Sequence, residues 1–231
     1  MERAPPVTRH SSHPMSIRSF IRPLLLFAYR LLYNELAFTY DAVSALVSRG
    51  HWRDWTRAAI PHIVGTRILE VPVGAGNLHL DLHAAGYAAI GVDLSPAMLN
   101  ITRDKFRRAH RHAAIMRARV EQLPFPRGAF DSIVMTFPAS FIYDPRTFQE
   151  FQRVLADTGR VIWVDAAHSI HRDWWWKIVN VAWGEFGGQS GYPGLMERVL
   201  AQAGFAVQIN TVSDGASIVS VAIATKPSEG L

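Results

Sequence analysis

The chain has 231 residues, 49% hydrophobic and 19% charged, with a net charge of +5 and no cysteine. That size carries one sizeable core, and the composition excludes a disordered chain. Without thiols there are no disulfides, thiolate nucleophiles or cysteine–zinc sites. No metal site is expected, and a reducing, cytoplasmic setting fits. The positive balance favours anionic partners, a membrane surface among them. The basic stretches at 3–30 and Arg103–Arg119 carry no nucleic-acid motif, so no nucleic-acid partner is expected.

Met1 to Ser19 is rich in Pro, Ser, His and Arg and predicts a disordered tail over 1–19. Residues 20–38 (FIRPLLLFAYRLLYNELAF) are apolar but interrupted by Arg22, Pro23, Arg30, Asn34 and Glu35. That is too polar to span a bilayer, and no signal-peptide cleavage site is evident. It reads as a helix from about Pro23 with a wide apolar face, which either packs on the domain or touches a membrane surface. Residues 20–60 are thus expected to form a helical lid, and 61–231 the main domain.

Arg67 to Asp93 (RILEVPVGAGNLHLDLHAAGYAAIGVD) is the densest stretch. An apolar strand, Ile68 to Val71, runs into the turn Gly74-Ala75-Gly76. A helix follows from Asn77 to about Ala85 with Gly86 as its stop, and a second strand ends on Asp93. Glycines allow close backbone approach to a ligand, the helix offers free N–H groups, and an acid at a strand tip accepts from both ribose hydroxyls. The pattern is a nucleoside site. It is not a dinucleotide fingerprint, because the third glycine position of G-x-G-x-x-G holds His79. It is not a P-loop, because no Gly-Lys-Ser/Thr follows.

Further on, Ser95 caps a helix beginning at Pro96, with Met98, Leu99 and Phe106 on one face. Ala114–Val120 reads as a third strand and Ser132–Thr136 as a fourth. Asp144-Pro145 opens a helix with Phe148, Phe151, Val154 and Leu155 toward the core. Thr158-Gly159 is predicted as a turn before a fifth strand, Arg160–Asp165. Leu195–Ala203 is predicted as a helix capped by Gly204. Phe205–Val212 and Ser217–Thr225 are two β runs joined across an Asp-Gly signal, hence a hairpin. Alternating elements of both kinds predict a mostly parallel sheet.

In order and spacing, LEVPVGAGN (69–77), GVDLSPAML (91–99), VEQLPFPRGAFDSIVM (120–135), FQRVLADTGRVIWVD (151–165), LAQAGF (200–205) and SVAIATKP (220–227) resemble class I S-adenosylmethionine (SAM)-dependent methyltransferases. AFTYDAVSALVSRGHWRDW (37–55) is similar to an element of the ubiquinone/menaquinone C-methyltransferase group, with Tyr40, Asp41, Ser48, Gly50 and Trp55 in place. The resemblance implies an α/β, Rossmann-like seven-stranded sheet, mostly parallel, closed by a C-terminal antiparallel hairpin, with helices on both faces.

It also implies SAM as cofactor and a small acceptor, apolar, quinol-like or lipid-like. The implied cofactor residues are Glu70, Pro72, Gly74, Gly76, Asp93, Leu94, Met98, Val120, Glu121 and Phe137. At the mouth of the sheet, Tyr40, Tyr143 and His168, with His171, are acceptor-side candidates. Trp174-Trp175-Trp176, Trp183 and Phe186 form an aromatic insert suited to an apolar pocket or lipid. Three positions depart from the family pattern. Pro72 replaces the second motif glycine. Arg119 stands where an adenine-contacting acid is frequent. FPASFIYD (137–144) has Ser140 near the place where quinone enzymes carry a basic residue. An NAD(P)-dependent oxidoreductase and a non-catalytic protein of the same fold are the alternatives.

Overall fold

The computed structural model describes residues 27–28, 30–169, 174 and 194–227. The predicted disordered tail and the start of the helix at Pro23 lie outside the described residues, as do His171 and, apart from Trp174, the aromatic insert.

Seven strands form one sheet in the order β3-β2-β1-β4-β5-β7-β6. They are β1 Ile68–Glu70, β2 Ile90–Asp93, β3 Ile115–Arg117, β4 Phe130–Thr136, β5 Leu155–Ser169, β6 Ala206–Ser213 and β7 Ser217–Thr225. The first five pair in parallel, and β7 inserts antiparallel between β5 and β6. Among the described residues they are accompanied by the helices α1 Tyr40–Ser48, α2 Trp52–Arg57, α3 Asn77–Ala84, α4 Pro96–Arg108, α5 Pro145–Val154 and α6 Leu195–Gln202.

Strand residues alternate between two cores, as the pleat requires. On one face Leu69, Ile133, Met135, Val161 and Trp163 meet Phe148 and Phe151 of α5 and Leu200 of α6. On the other, Ile68, Val134, Ile162 and Val164 meet Trp55 of α2 and Leu78 and Leu82 of α3. The expected sheet, hairpin and two-sided helical cover are therefore present. β1 has β2 on one side and β4 on the other, so the chain reverses its winding there. Ligands of open α/β sheets bind beyond the strand tips at such a reversal.

The start of α4 follows the sequence closely, since Ser95 caps it through its hydroxyl, which accepts from the Met98 N–H. Two local expectations need correction. Thr158-Gly159 is not a turn but lies inside β5, which starts at Leu155 directly after α5. A side chain at Gly159 would come within 2.9 Å of the Asp131 carbonyl, so this glycine serves close backbone approach at a pairing irregularity in β4. β5 also runs on to Ser169, which places the His168 backbone in the strand, paired with Ile218, rather than in a following loop.

Candidate active site

The turn after β1 is shaped by its glycines. Gly74 and Gly76 have φ of +53° and +77°, where a Cβ is strained. A side chain at Gly76 would strike Thr102 of α4 at 2.6 Å, whereas one at Gly74 would meet nothing within 4 Å. One glycine thus seats the turn on α4 and the other leaves the backbone open toward the cleft. The Thr102 hydroxyl donates to the Gly74 carbonyl, and the Val73 N–H donates to the Val92 carbonyl, tying the turn to α4 and β2.

Asp93 at the tip of β2 is nearly buried. One carboxylate oxygen accepts from the Gly74 N–H at 2.9 Å and the other from the Ser95 N–H at 2.8 Å. The Leu94 N–H also helps hold the carboxylate, and of the about four acceptor positions a carboxylate offers, part remains free for a further donor. Burial pushes the Asp93 pKa up, and the backbone donors oppose it. Glu70 at the tip of β1 is buried as well, with Oε2 2.8 Å from Nδ1 of the fully buried His79. Desolvation also pushes Glu70 up, against the pull of His79.

A cleft opens beside this turn. Glu70, Pro72, Gly74, Gly76 and Phe137 line it, together with Tyr33, Tyr40 and Trp52 from the N-terminal element. Phe137 follows β4 at φ +43° and stacks on Trp52 with ring centroids 4.6 Å apart. Tyr40 stands edge-on to Tyr33 and to Trp52, at 5.5 and 6.3 Å. Four aromatic rings therefore line the same cleft as Glu70 and Gly74, while Asp93 lies behind the turn and is not among the lining residues.

Polar bonds fix the N-terminal element to the turn. Asp81 of α3, buried, takes forked bonds from both Arg53 and Arg57 of α2. Asp41 of α1 pairs with Lys105 of α4 at 2.6 Å and accepts from Asn77 at 2.9 Å, and Lys105 donates to Asn77 in turn. The Ser95 hydroxyl donates to the Tyr33 carbonyl. Trp55, by contrast, is core, with its indole N–H donating to the Ser217 hydroxyl at 2.6 Å.

The other expected residues stand apart from the cleft lining. Met98 is fully buried with Ala37 and Ala75, and Val120 joins the main core. Leu94 is half-exposed, and Glu121 is partly buried 3.6 Å from Arg119. Tyr143 is exposed in a short 3-10 segment, Ser140–Tyr143. Sequence reasoning missed Tyr33, Trp52, His79 and Lys105. His79 carried a signal, as the bulky residue in a glycine position, but was read only as an exclusion.

A family model for a methyltransferase domain matches residues 68–159. Over 216 residues the chain is 27% identical to a demethylmenaquinone methyltransferase of Thermus thermophilus, covering 82% of this chain and 98% of that protein. It is 28% identical to a ubiquinone/menaquinone biosynthesis C-methyltransferase of Geotalea uraniireducens, covering 73% and 79%. The chain is a class I SAM-dependent methyltransferase.

The fold agrees. A SAM-dependent methyltransferase structure from Thermotoga maritima superposes on this methyltransferase with a TM-score of 0.63 at 18% identity, covering 85% of this chain and 98% of that one. The oxidoreductase alternative falls with β7, which separates β5 from β6 where a dinucleotide-binding sheet would pair them. The site suits the SAM cofactor: the Gly74 backbone is open to the cleft, and Asp93 keeps acceptor capacity after its backbone bonds.

Proposed function

We propose that this methyltransferase acts on a small, apolar, aromatic acceptor of the quinol class, held against Tyr33, Tyr40, Trp52 and Phe137. The observation that carries the reading is the Trp52–Phe137 stack lining the same cleft as Glu70 and Gly74. Aromatic rings prefer offset-stacked and edge-to-face neighbours, and such pairs contribute about 0.5–1.5 kcal/mol beyond area burial. The names of the two quinone-biosynthesis relatives support the same class.

Asp93 would take the ribose hydroxyls, Glu70 the amino end of the cofactor, and the open Gly74 backbone its methionine part. When bound, SAM supplies a methyl group already activated by its positive sulfur. The chain's own work is then alignment and water exclusion, which contribute roughly 7–11 kcal/mol in well-oriented reactions. Trp52 and Phe137 would set the acceptor ring's plane, and Tyr40, which lines the same cleft, would touch its hydroxyl. The N-terminal element, residues 20–60 in this reading, acts as the lid.

A radiolabelled methyl-transfer screen over reduced naphthoquinols, benzoquinols, amines and phospholipids tests this. Product on quinol carbon is expected. Methylation of an amine or phospholipid head group with none on quinols refutes it.

Exposed Phe38 and Leu46 on the same element, 76% and 64% accessible, support a peripheral membrane contact where such acceptors reside. No described helix is long and apolar enough to cross a membrane. Flotation should show salt-sensitive binding to anionic vesicles and none to neutral ones. Binding to neither kind refutes the membrane contact and leaves a soluble enzyme with an apolar pocket.

A further inference from the structure

The short helix α2 is held from two sides. Arg53 and Arg57, one turn apart, fork onto Asp81 of α3. His51, the residue just before the helix, and Trp55, one turn on, reach instead to the turn between β6 and β7. At about 100° per residue, Trp52 projects between these two stripes. It stacks on Phe137 with ring centroids 4.6 Å apart, and Trp55 lies 6.1 Å from Trp52 and 6.0 Å from Phe137. The ring that the hairpin grips thus packs against both rings of the stack that lines the cleft.

The bonds of this grip run one way. An indole N–H can only donate, and that of Trp55 donates to the buried Ser217 hydroxyl at 2.6 Å. The hydroxyl has one proton of its own, and it donates to Asp214, whose two oxygens lie 3.0 and 2.9 Å away. The N–H groups of Ala216 and Ser217 hold Asp214 Oδ1 at 2.9 and 2.6 Å, and His51 Nδ1 stands 2.7 Å from Oδ2. A hydroxyl that donates to a carboxylate is a stronger acceptor for the indole, because bonds in such a chain polarise one another. Asp214 therefore holds α2 twice, directly at His51 and through Ser217 at Trp55. None of these four residues lines the cleft.

We propose that Asp214 and Ser217 of the C-terminal hairpin are positioning residues for the acceptor: through Trp55 they set the angle of Trp52 against Phe137, and with it the shape of the aromatic wall that the acceptor meets. The inference rests on the reading that the acceptor is held against Trp52. The cofactor's side of the site is independent of this grip, since Gly74 is tied to Thr102 of α4 and to Asp93 at the tip of β2. Arg53 and Arg57 keep α2 docked on α3 when the hairpin bond is cut. Loss of the bond turns α2 about its arginine stripe without undocking it, and the acceptor, not the cofactor, registers the change.

Two variants cut the same bond from opposite ends, W55F by removing the indole donor and S217A by removing the hydroxyl. Each should raise KM for a reduced naphthoquinol about five- to tenfold and leave affinity for S-adenosylhomocysteine within about twofold of the parent. A merely structural role would lower the amount of active protein, and so kcat, at unchanged KM. The double variant should be no worse than the poorer single one, because both remove one interaction. D214N, which puts an NH2 group in place of one carboxylate oxygen, should raise the acceptor KM as well. Either W55F or S217A suffices if the other does not fold. Fluorine spectra of fluorotryptophan-labelled protein need no acceptor: the Trp52 signal, identified by its loss in W52F, should shift in S217A or W55F without any ligand. An unmoved Trp52 signal, an unchanged acceptor KM, or equal losses for acceptor and S-adenosylhomocysteine each overturns the proposal. W52A separates the two layers. If it leaves the acceptor KM at the parent value, the placement of the acceptor against Trp52 is wrong. If W52A raises KM and the hairpin variants do not, only the role of Asp214 and Ser217 fails.

Discussion

Asp93→Asn separates the carboxylate's role toward ligand from its role in the fold. The two Asp93 oxygens accept from Gly74 and Ser95 N–H groups at 2.9 and 2.8 Å. Asparagine keeps one acceptor and turns the other position into a donor, so one backbone N–H must face an NH2 group. On the ligand side, one of two charge-assisted bonds to the ribose is lost. Each is worth about 1.5–3 kcal/mol, which predicts a loss of affinity for S-adenosylhomocysteine of roughly 10- to 150-fold. The stability cost is smaller. Burial raises the Asp93 pKa above its unfolded value, so the stability this group contributes is present below the unfolded pKa and is lost as pH rises through the folded one. At neutral pH its ionisation opposes folding, and removing the charge offsets part of the lost hydrogen bond. The melting temperature without ligand should therefore fall by only a few degrees, while the ligand-induced rise largely disappears. Calorimetry and thermal melts measure both. A folded variant that binds within twofold of the parent refutes the ribose assignment.

Trp52→Ala removes half of the stacked aromatic pair and should raise KM for the acceptor at least tenfold while changing S-adenosylhomocysteine affinity less than threefold. Equal effects on both would place Trp52 with the cofactor instead. Asp81→Asn leaves two arginines without their shared carboxylate and should cost about 2–4 kcal/mol, a fall in melting temperature of roughly 4–16 °C. Hydrogen bonds from Arg53 and Arg57 overcome the burial of Asp81 and hold its pKa below the usual carboxylate value. The gap between parent and variant should then be constant above about pH 5 and close as the solution is acidified toward the folded pKa. Removal of residues 1–36 takes away Tyr33 and its bond to Ser95. Turnover should drop far more than cofactor affinity, and undiminished turnover on the acceptor would refute the lid.

What the sequence made legible was local. The two glycines, the cap at Ser95 and the acid ending β2 lie within 22 residues, and their geometry follows from neighbours along the chain. Gly159 misled because a glycine looks the same whether it turns the chain or lets a carbonyl approach, and only the pairing with β4 tells which. The aromatic wall was half legible. Tyr40 stood out by its pattern, but Trp52 and Trp55 are three apart on one short helix. Which of them faces the cleft depends on where Ser217, 162 positions beyond Trp55, places its hydroxyl. Met98 shows the converse, for the same apolar periodicity serves a core residue or an adenine contact equally well.

That bond between Trp55 and Ser217 also constrains how the protein is made. The N-terminal element reaches the ribosome's exit first, yet its anchor on the sheet includes β7, in the last strand pair of the chain. Closing so long a loop costs entropy that only the finished hairpin repays. The five parallel strands and the Gly74–Asp93 turn can assemble during synthesis, and Asp81, Lys105 and Ser95 can already hold the N-terminal element against them, whereas Trp55 gains its bond to β7 only after residue 217 has emerged. A nascent chain halted before β7 would carry the turn and its docked N-terminal element without the bond that locks Trp55 to the final hairpin.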